Sequence, residues 1–283
     1  GRGLLVFKMK VAEEKLKLFV VGADPCWTDP KQIYQTTNSK WTLDESGVKI
    51  FVDHMLVEGL SCPDENKYAW IYEPASVIPD FVDHIKSSVH LYAKTYNKLF
   101  THNRQIANLH DNLVLVDPGF PSWIDSPKIH KKSKVASMIT STKNFTPGHR
   151  HRIHWANKLH GQLDLYGRGH NEIESKEDGL NDYMFSVSLE NDDTVYTEKL
   201  LDCFLTGTVP IYWGSDDVKN IFNNDGIIWI DSNFSVDSLT EELYNSKKEA
   251  IQENFEIAKQ VNKGIPEMVD FFVDDYILGD INE

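Results

Sequence analysis

Short apolar runs rich in β-branched and aromatic residues alternate with helical patterns along this chain, and that alternation most limits its fold. The runs are LKLFVV (16–21), VKIFV (48–52), YAWIY (68–72), VHLYA (89–93), NLVLV (112–116), VASMIT (135–140), QLDLYG (162–167), YMFSVSL (183–189), VPIYW (209–213) and IIWI (227–230). Several are apolar at consecutive positions, the pattern of a strand buried on both faces of a parallel sheet. Helical spacing falls between them, most clearly at 150–160, 198–206 and 239–262. Such alternation predicts βαβ units and an α/β fold. The chain has 283 residues, near the size where one core stops growing, so two domains of about 130–150 residues each are expected. The proline-rich stretch DPGFPSWIDSPKIHKKSK (117–134) reads as the linker and divides the chain into 1–127 and 128–283. Two Rossmann-like halves facing each other would hold ligands in the crevice at the carboxyl ends of their strands.

A formal charge of −14 argues against nucleic acid and anionic membranes as partners, since both reward positive surface. Cys26, Cys62 and Cys203 have no CxxC spacing, so neither a disulfide framework nor a thiolate zinc site is expected. A reducing, cytoplasmic setting is the simplest expectation. No run approaches the roughly 18 apolar residues that span a bilayer, and the opening stretch lacks a secretory h-region. No integral membrane segment is therefore expected.

Charge is unevenly spread. From Lys128 to His170 there are nine Lys or Arg and six of the eleven histidines, against one acid, Asp164. The four lysines at 128–134 read as a charged linker. The part STKNFTPGHRHRIHWANKLHGQLDLYGRG (141–169) follows a predicted strand and opens a helix, where backbone N–H groups and the helix dipole receive a phosphate. Arg150 and Arg152 sit at that start, the wrong end for cations unless an anion binds there. Gly167, in the GRGH turn, suits a close approach of nucleotide to backbone. His149, His151 and His154 do not share one helix face and lack a nearby carboxylate, so metal binding is not expected there.

The stretch SLENDDTVYTEKLLDCFLTGTVPIYWG (188–214) holds five carboxylates and one lysine. Thr197 is a good N-cap, Gly207 a good C′ residue, and Leu200, Leu201, Phe204 and Leu205 repeat at helical spacing, predicting a helix over 198–206. Glu198 suits the first turn and Lys199 does not, unless a diphosphate shares that helix end. Asp192 and Asp193 read as a solvated loop and Asp202 as part of the helix's polar face; Glu190 is left undecided. Paired acids in ENDD also admit a divalent metal on a nucleotide sugar, although the nearby cations supply the same neutralisation.

With these residues in hand, YMFSVSLENDDTVYTEKLLDCFLTGTVPIYWG resembles the donor-binding signature of the α-1,3/4-fucosyltransferases, glycosyltransferase family 10. The upstream segment 135–169 is similar to the one preceding that signature, and together the motifs span residues 135–214. The resemblance implies a GT-B architecture, with an acceptor-side domain at 1–127 and a nucleotide-sugar domain at 128–283. It implies Arg152 on the diphosphate with Arg150 beside it, Asn191, Tyr196 and Gly167 at the nucleotide, Lys199 on the phosphates, and Glu198 by the fucose ring. In YAWIYEPASVIPDF it points to Glu73 as the general base. Two departures stand out. The loop from Asn191 to Glu198 is short, with Tyr196 two residues before the glutamate instead of three, and the acceptor-side landmarks of the family are missing.

The implied reaction is inverting transfer of L-fucose from GDP-fucose to a hydroxyl of a glycan acceptor, with no cofactor or metal required. Three alternatives remain at this stage: a GT-B enzyme with another nucleotide sugar, a metal-dependent GT-A enzyme using ENDD, and a silent nucleotide-sugar or glycan-binding module.

Overall fold

A computed structural model describes residues 15–22, 39–42 and 46–282; Cys26 and the opening stretch lie outside them. Two wholly parallel sheets form. The first has the order β2-β1-β3-β4-β5-β6, built from Leu16–Val21, Ser39–Trp41, Val48–Val52, Lys67–Ile71, Leu99–Thr101 and Leu113–Leu115 as β1 to β6. The second has the order β11-β10-β9-β7-β8, from Lys134–Ile139, Asp164–Tyr166, Tyr183–Leu189, Val209–Trp213 and Ile228–Trp229 as β7 to β11. The strands of the second sheet all match runs recognised in the sequence. In the first sheet β2 and β5 do not, because three residues are too few to carry a periodic signal.

VHLYA departs from expectation. It lies in a helix, Val89–Thr95, because Val89, Tyr92, Ala93 and Tyr96 are buried while Leu91 is exposed, a 3–4 spacing rather than an alternating one. That helix and its neighbour Pro79–Ser87 cover one face of the first sheet, burying Phe81, Val82, Ile85 and Tyr92 against Phe51, Ala69 and Ile71.

The opposite face is covered from the far end of the chain. Helix Ile265–Phe272 and the turns after it bury Met268, Val269, Phe272 and Ile277 on Ile50, Tyr68, Trp70 and Phe100, with Phe100 and Phe272 stacked at 4.0 Å. The sequence reading runs these helices together with the second unit, whereas they pack on the first. Their apolar stripe fits a sheet face that otherwise would stay in water.

The second sheet lies between helix Pro147–Lys158, which inserts Trp155 and Ala156 on one side, and helix Glu198–Thr206, packed with Lys248–Val261 on the other. We call the 147–158 and 198–206 elements the arginine helix and the lysine helix. The linker is tied down instead of solvated throughout. Lys128 and His130 donate their amides to the carbonyls of Leu205 and Thr206. Lys132 donates to Thr206 O at 2.8 Å and Thr208 Oγ1 at 2.9 Å, among others, and burial lowers its pKa to about 7.

β7 leads to β8 on one side and β9 pairs with β7 on the other. The strand order therefore reverses at β7/β9, the switch point where doubly wound sheets take ligands.

Candidate active site

The residues just after the end of β9 and the two helix starts beside it organise the switch point. The arginine helix starts at Thr146, whose hydroxyl accepts from the His149 amide at 3.1 Å, while the Thr146 amide donates to His149 Nδ1 at 3.2 Å. This reciprocal cap satisfies two groups that a helix start leaves unpaired. Burial and the nearby Arg152 lower the His149 pKa to about 4, so the ring is neutral near pH 7. One turn on, Arg152 is 6% exposed. Its Nη1 donates to Leu189 O at 2.8 Å and Glu190 O at 3.1 Å, and its Nη2 to Asn191 Oδ1 at 3.0 Å. The guanidinium thus fastens the end of β9 and orients Asn191. Arg150 is exposed on the same helix.

Glu190, undecided in the sequence, is fully buried. It accepts from the Thr197 amide at 2.8 Å and hydroxyl at 2.6 Å, so it holds the residue that caps the lysine helix. Burial raises its pKa against the pull of Lys199. Lys199 Nζ donates to Glu198 Oε1 at 2.9 Å and Thr197 Oγ1 at 3.1 Å and stands 3.8 Å from Glu190 Oε2. Burial works against the ammonium, but Glu198 and Glu190 outweigh it and its pKa is raised. For Glu198, burial is likewise outweighed, here by Lys199 and Lys176, and the pKa falls to about 2. The lysine that the helix dipole disfavours is held by two carboxylates.

Lys176 was not singled out in the sequence, and Asp202 was read there only as a polar-face residue. Asp202 is buried instead of lying on a polar face, and it accepts from Ser122 Oγ at 2.6 Å, the Trp123 amide at 2.8 Å and Lys176 Nζ at 3.0 Å. Lys176 Nζ also stands 3.8 Å from Glu198. A signal existed, since Glu198 and Asp202 are four apart on one helix face; for Lys176 there was none. Asp192 is also buried rather than solvated. It accepts from the Ser76 amide at 2.8 Å and from Thr194, joining the end of β9 to the loop after β4.

At that loop Glu73 is half-buried, just past the carboxyl end of β4. Asp53 Oδ1 accepts from the amides of Tyr72 at 2.8 Å and Glu73 at 3.2 Å. Asp53 has φ 49°, unusual for a non-glycine residue, and burial pushes its pKa up to about 6. An acid directly after the apolar run VKIFV was the available clue.

A cleft of about 830 Å³ opens between the two sheets, lined by Tyr72, Phe120, Trp123, Lys176 and Glu198 among others. The structure thus gathers Arg152, Asn191, Glu198 and Lys199 at one strand end, with Glu73 beside cleft-lining Tyr72. Gly167 lies at the neighbouring end of β8 with φ 107°, where a Cβ would collide with Thr140 O. Tyr196 is apart from this group. It is buried in the core edge-on to Phe222 and lines a separate cavity of about 310 Å³. His149 is taken up in its cap, and His151 accepts from Trp155 Nε1 at 2.8 Å. Among the described residues no three His, Cys, Asp or Glu side chains converge as metal ligands.

Comparison with known proteins agrees with this layout. Residues 129–262 match the family described as glycosyltransferase family 10 (fucosyltransferase), C-terminal. An α-(1,3)-fucosyltransferase, FucT of Helicobacter pylori, is 39% identical over 53 residues, 18% of this chain and 11% of that protein. A crystal structure of an α1,3-fucosyltransferase superposes on 96% of this chain and 92% of its own with a TM-score of 0.53 at 15% identity. The described chain therefore has the GT-B fold, and its residues 129–262 match the C-terminal domain model of glycosyltransferase family 10, the fucosyltransferases.

Proposed function

We propose that this chain is an inverting glycosyltransferase that moves L-fucose from GDP-fucose to a hydroxyl of a glycan. The observation that carries the reading is the Glu198–Lys199 pair, set by a Glu190-held cap at the switch point of a fucosyltransferase-family domain. As the sugar leaves, negative charge develops on the diphosphate. Lys199 receives it, and fixed cations of this kind lower the barrier most. Arg152 acts mainly by holding the strand end from which Asn191 projects. Glu198, ionised throughout the working range, stabilises the oxocarbenium-like sugar carbon. Glu73 removes the proton of the attacking hydroxyl, a contribution of about 10²–10⁴-fold, and its backbone is kept in position by Asp53.

Turnover of GDP-fucose against a panel of acceptor sugars tests the reading. Lys199→Ala should lower kcat by about 10²–10³-fold. Glu73→Gln should abolish transfer while leaving donor affinity intact. Full transfer by Glu73→Gln would remove Glu73 as the base. Turnover of another nucleotide sugar in place of GDP-fucose would replace the donor and keep the rest.

A further inference from the structure

Trp123 is 68% exposed, the most exposed of the large hydrophobic side chains among the described residues. An indole so placed on a loop would ordinarily be mobile, yet its backbone is fixed from three directions. The Trp123 amide donates to buried Asp202 at 2.8 Å. Ser122 donates its hydroxyl to the same oxygen and its amide to Asn262 Oδ1 at 2.8 Å. Ile124, next in the chain, is buried in the second domain. An aromatic on a fixed backbone that lines a cleft, instead of standing alone on the outer surface, is suited to contact a ligand there.

Its surroundings identify that ligand. The indole lines the cleft together with Glu198, and one ammonium connects the two: Lys176 Nζ stands 5.4 Å from the Trp123 ring centroid and 3.8 Å from Glu198 Oε1. Carboxylate and indole are therefore separated by no more than the sum of these distances, the span of a disaccharide. Asp202, which fixes Trp123, lies one turn along the helix that Glu198 begins, so the two are positioned by one rigid element. Besides Glu198, the described lining residues include the acids Asp125 and Glu174 and one cation, Lys176, whose charge is shared by Asp202 and Glu198.

We infer that Trp123 is the platform on which the acceptor sugar stacks, and that the acceptor is a neutral glycan. The C–H face of a pyranose carries weak positive charge and meets the negative face of the indole, while its hydroxyls turn to the carboxylates. A sulfated or carboxylated sugar would set like charge against Asp125, Glu174 and Glu198, and among the described lining residues the one cation, Lys176, is already engaged by two carboxylates. The inference rests on the transferase reading above, and its test separates the two.

Binding of neutral oligosaccharides and their sulfated counterparts, in the presence of GDP, is measured by calorimetry on the whole chain and on Trp123→Ala and Trp123→Phe. Slow hydrolysis of GDP-fucose without acceptor is followed in parallel. The expectation is neutral binding that weakens at least tenfold in Trp123→Ala and about threefold in Trp123→Phe, with sulfated forms bound at least tenfold more weakly by the parent. Melting temperature should change little, since most of the side chain is in water. Neutral binding unchanged in Trp123→Ala, equal binding of sulfated forms, or no glycan binding at all would each overturn the inference. Failure of GDP-fucose hydrolysis would count against the donor assignment, whatever the glycan result.

Discussion

The carboxyl ends of β9 and β4 meet at one cleft with their buried acids in opposite condition. At β9, burial of Glu198 is outweighed by Lys199 and Lys176, and its pKa falls to about 2. At β4, burial of Asp53 meets only the amides of Tyr72 and Glu73, and its pKa rises to about 6. Two ammonium groups overcome desolvation at Glu198, and two backbone amides do not at Asp53. The β9 end is thus built for a fixed charge pattern, as a developing anion requires. The β4 end is built to hold a backbone turn, with Asp53 in left-handed geometry as its anchor.

The largest effect expected from breaking this contrast is at Arg152. Arg152→Ala leaves Leu189 O, Glu190 O and Asn191 Oδ1 without their donor in a buried site, at a cost of about 3–5 kcal/mol. Urea denaturation measures it, and a loss under about 1 kcal/mol would mean that the strand end holds without its clamp. Next comes pH. The folded state binds the Asp53 proton more tightly than the unfolded chain, so this group favours folding most below its unfolded pKa and the benefit is lost as pH rises through about 6. Glu198 has the opposite sign: its contribution is present above its unfolded pKa and is lost as pH falls toward 2. Asp53→Asn should therefore remove a decline on the order of 2–3 kcal/mol between pH 4 and 6, and Glu198→Gln should remove the loss at lower pH. A parallel decline in Asp53→Asn and parent would place that titration elsewhere.

The same two ends differ in how far the sequence discloses them. β9, its loop and the lysine helix are contiguous, so Thr197 as cap, Gly207 in the left-handed region and the residues Glu198 and Lys199 can be read from one stretch. The helix runs over 198–206 as its spacing predicts. What the stretch cannot disclose is which acids are buried, because Asp192 and Asp202 are buried by partners that lie 116 and 80 positions away, Ser76 and Ser122. The β4 end is assembled from β3, β4 and the linker, with a last helix returning across the sheet, so only Glu73 was legible there. Where the Tyr196 ring goes was not legible either: it is buried edge-on to Phe222, a partner 26 positions further along the chain.

Asp192 offers the finest test, because it links the two ends. Its Oδ2 accepts from the Ser76 amide at 2.8 Å and its Oδ1 from the Thr194 amide and hydroxyl, while Ser76 Oγ donates to Asn191 O at 3.3 Å. Hydrogen bonding outweighs burial, and the pKa of Asp192 is lowered even though burial opposes it. Asp192→Asn keeps the shape but replaces one acceptor with an amide donor. If that donor faces Ser76, it meets another N–H; if it faces Thr194, two contacts are lost together. Either orientation should cost about 1–3 kcal/mol, less than Arg152→Ala because one side chain still spans the gap. Hydrogen exchange should quicken at Ser76 and Thr194 together, with little change at Lys199, whose amide depends on Thr197. Faster exchange at Thr194 alone would show that the loop after β4 keeps its position without this bond, and that the two strand ends are set independently.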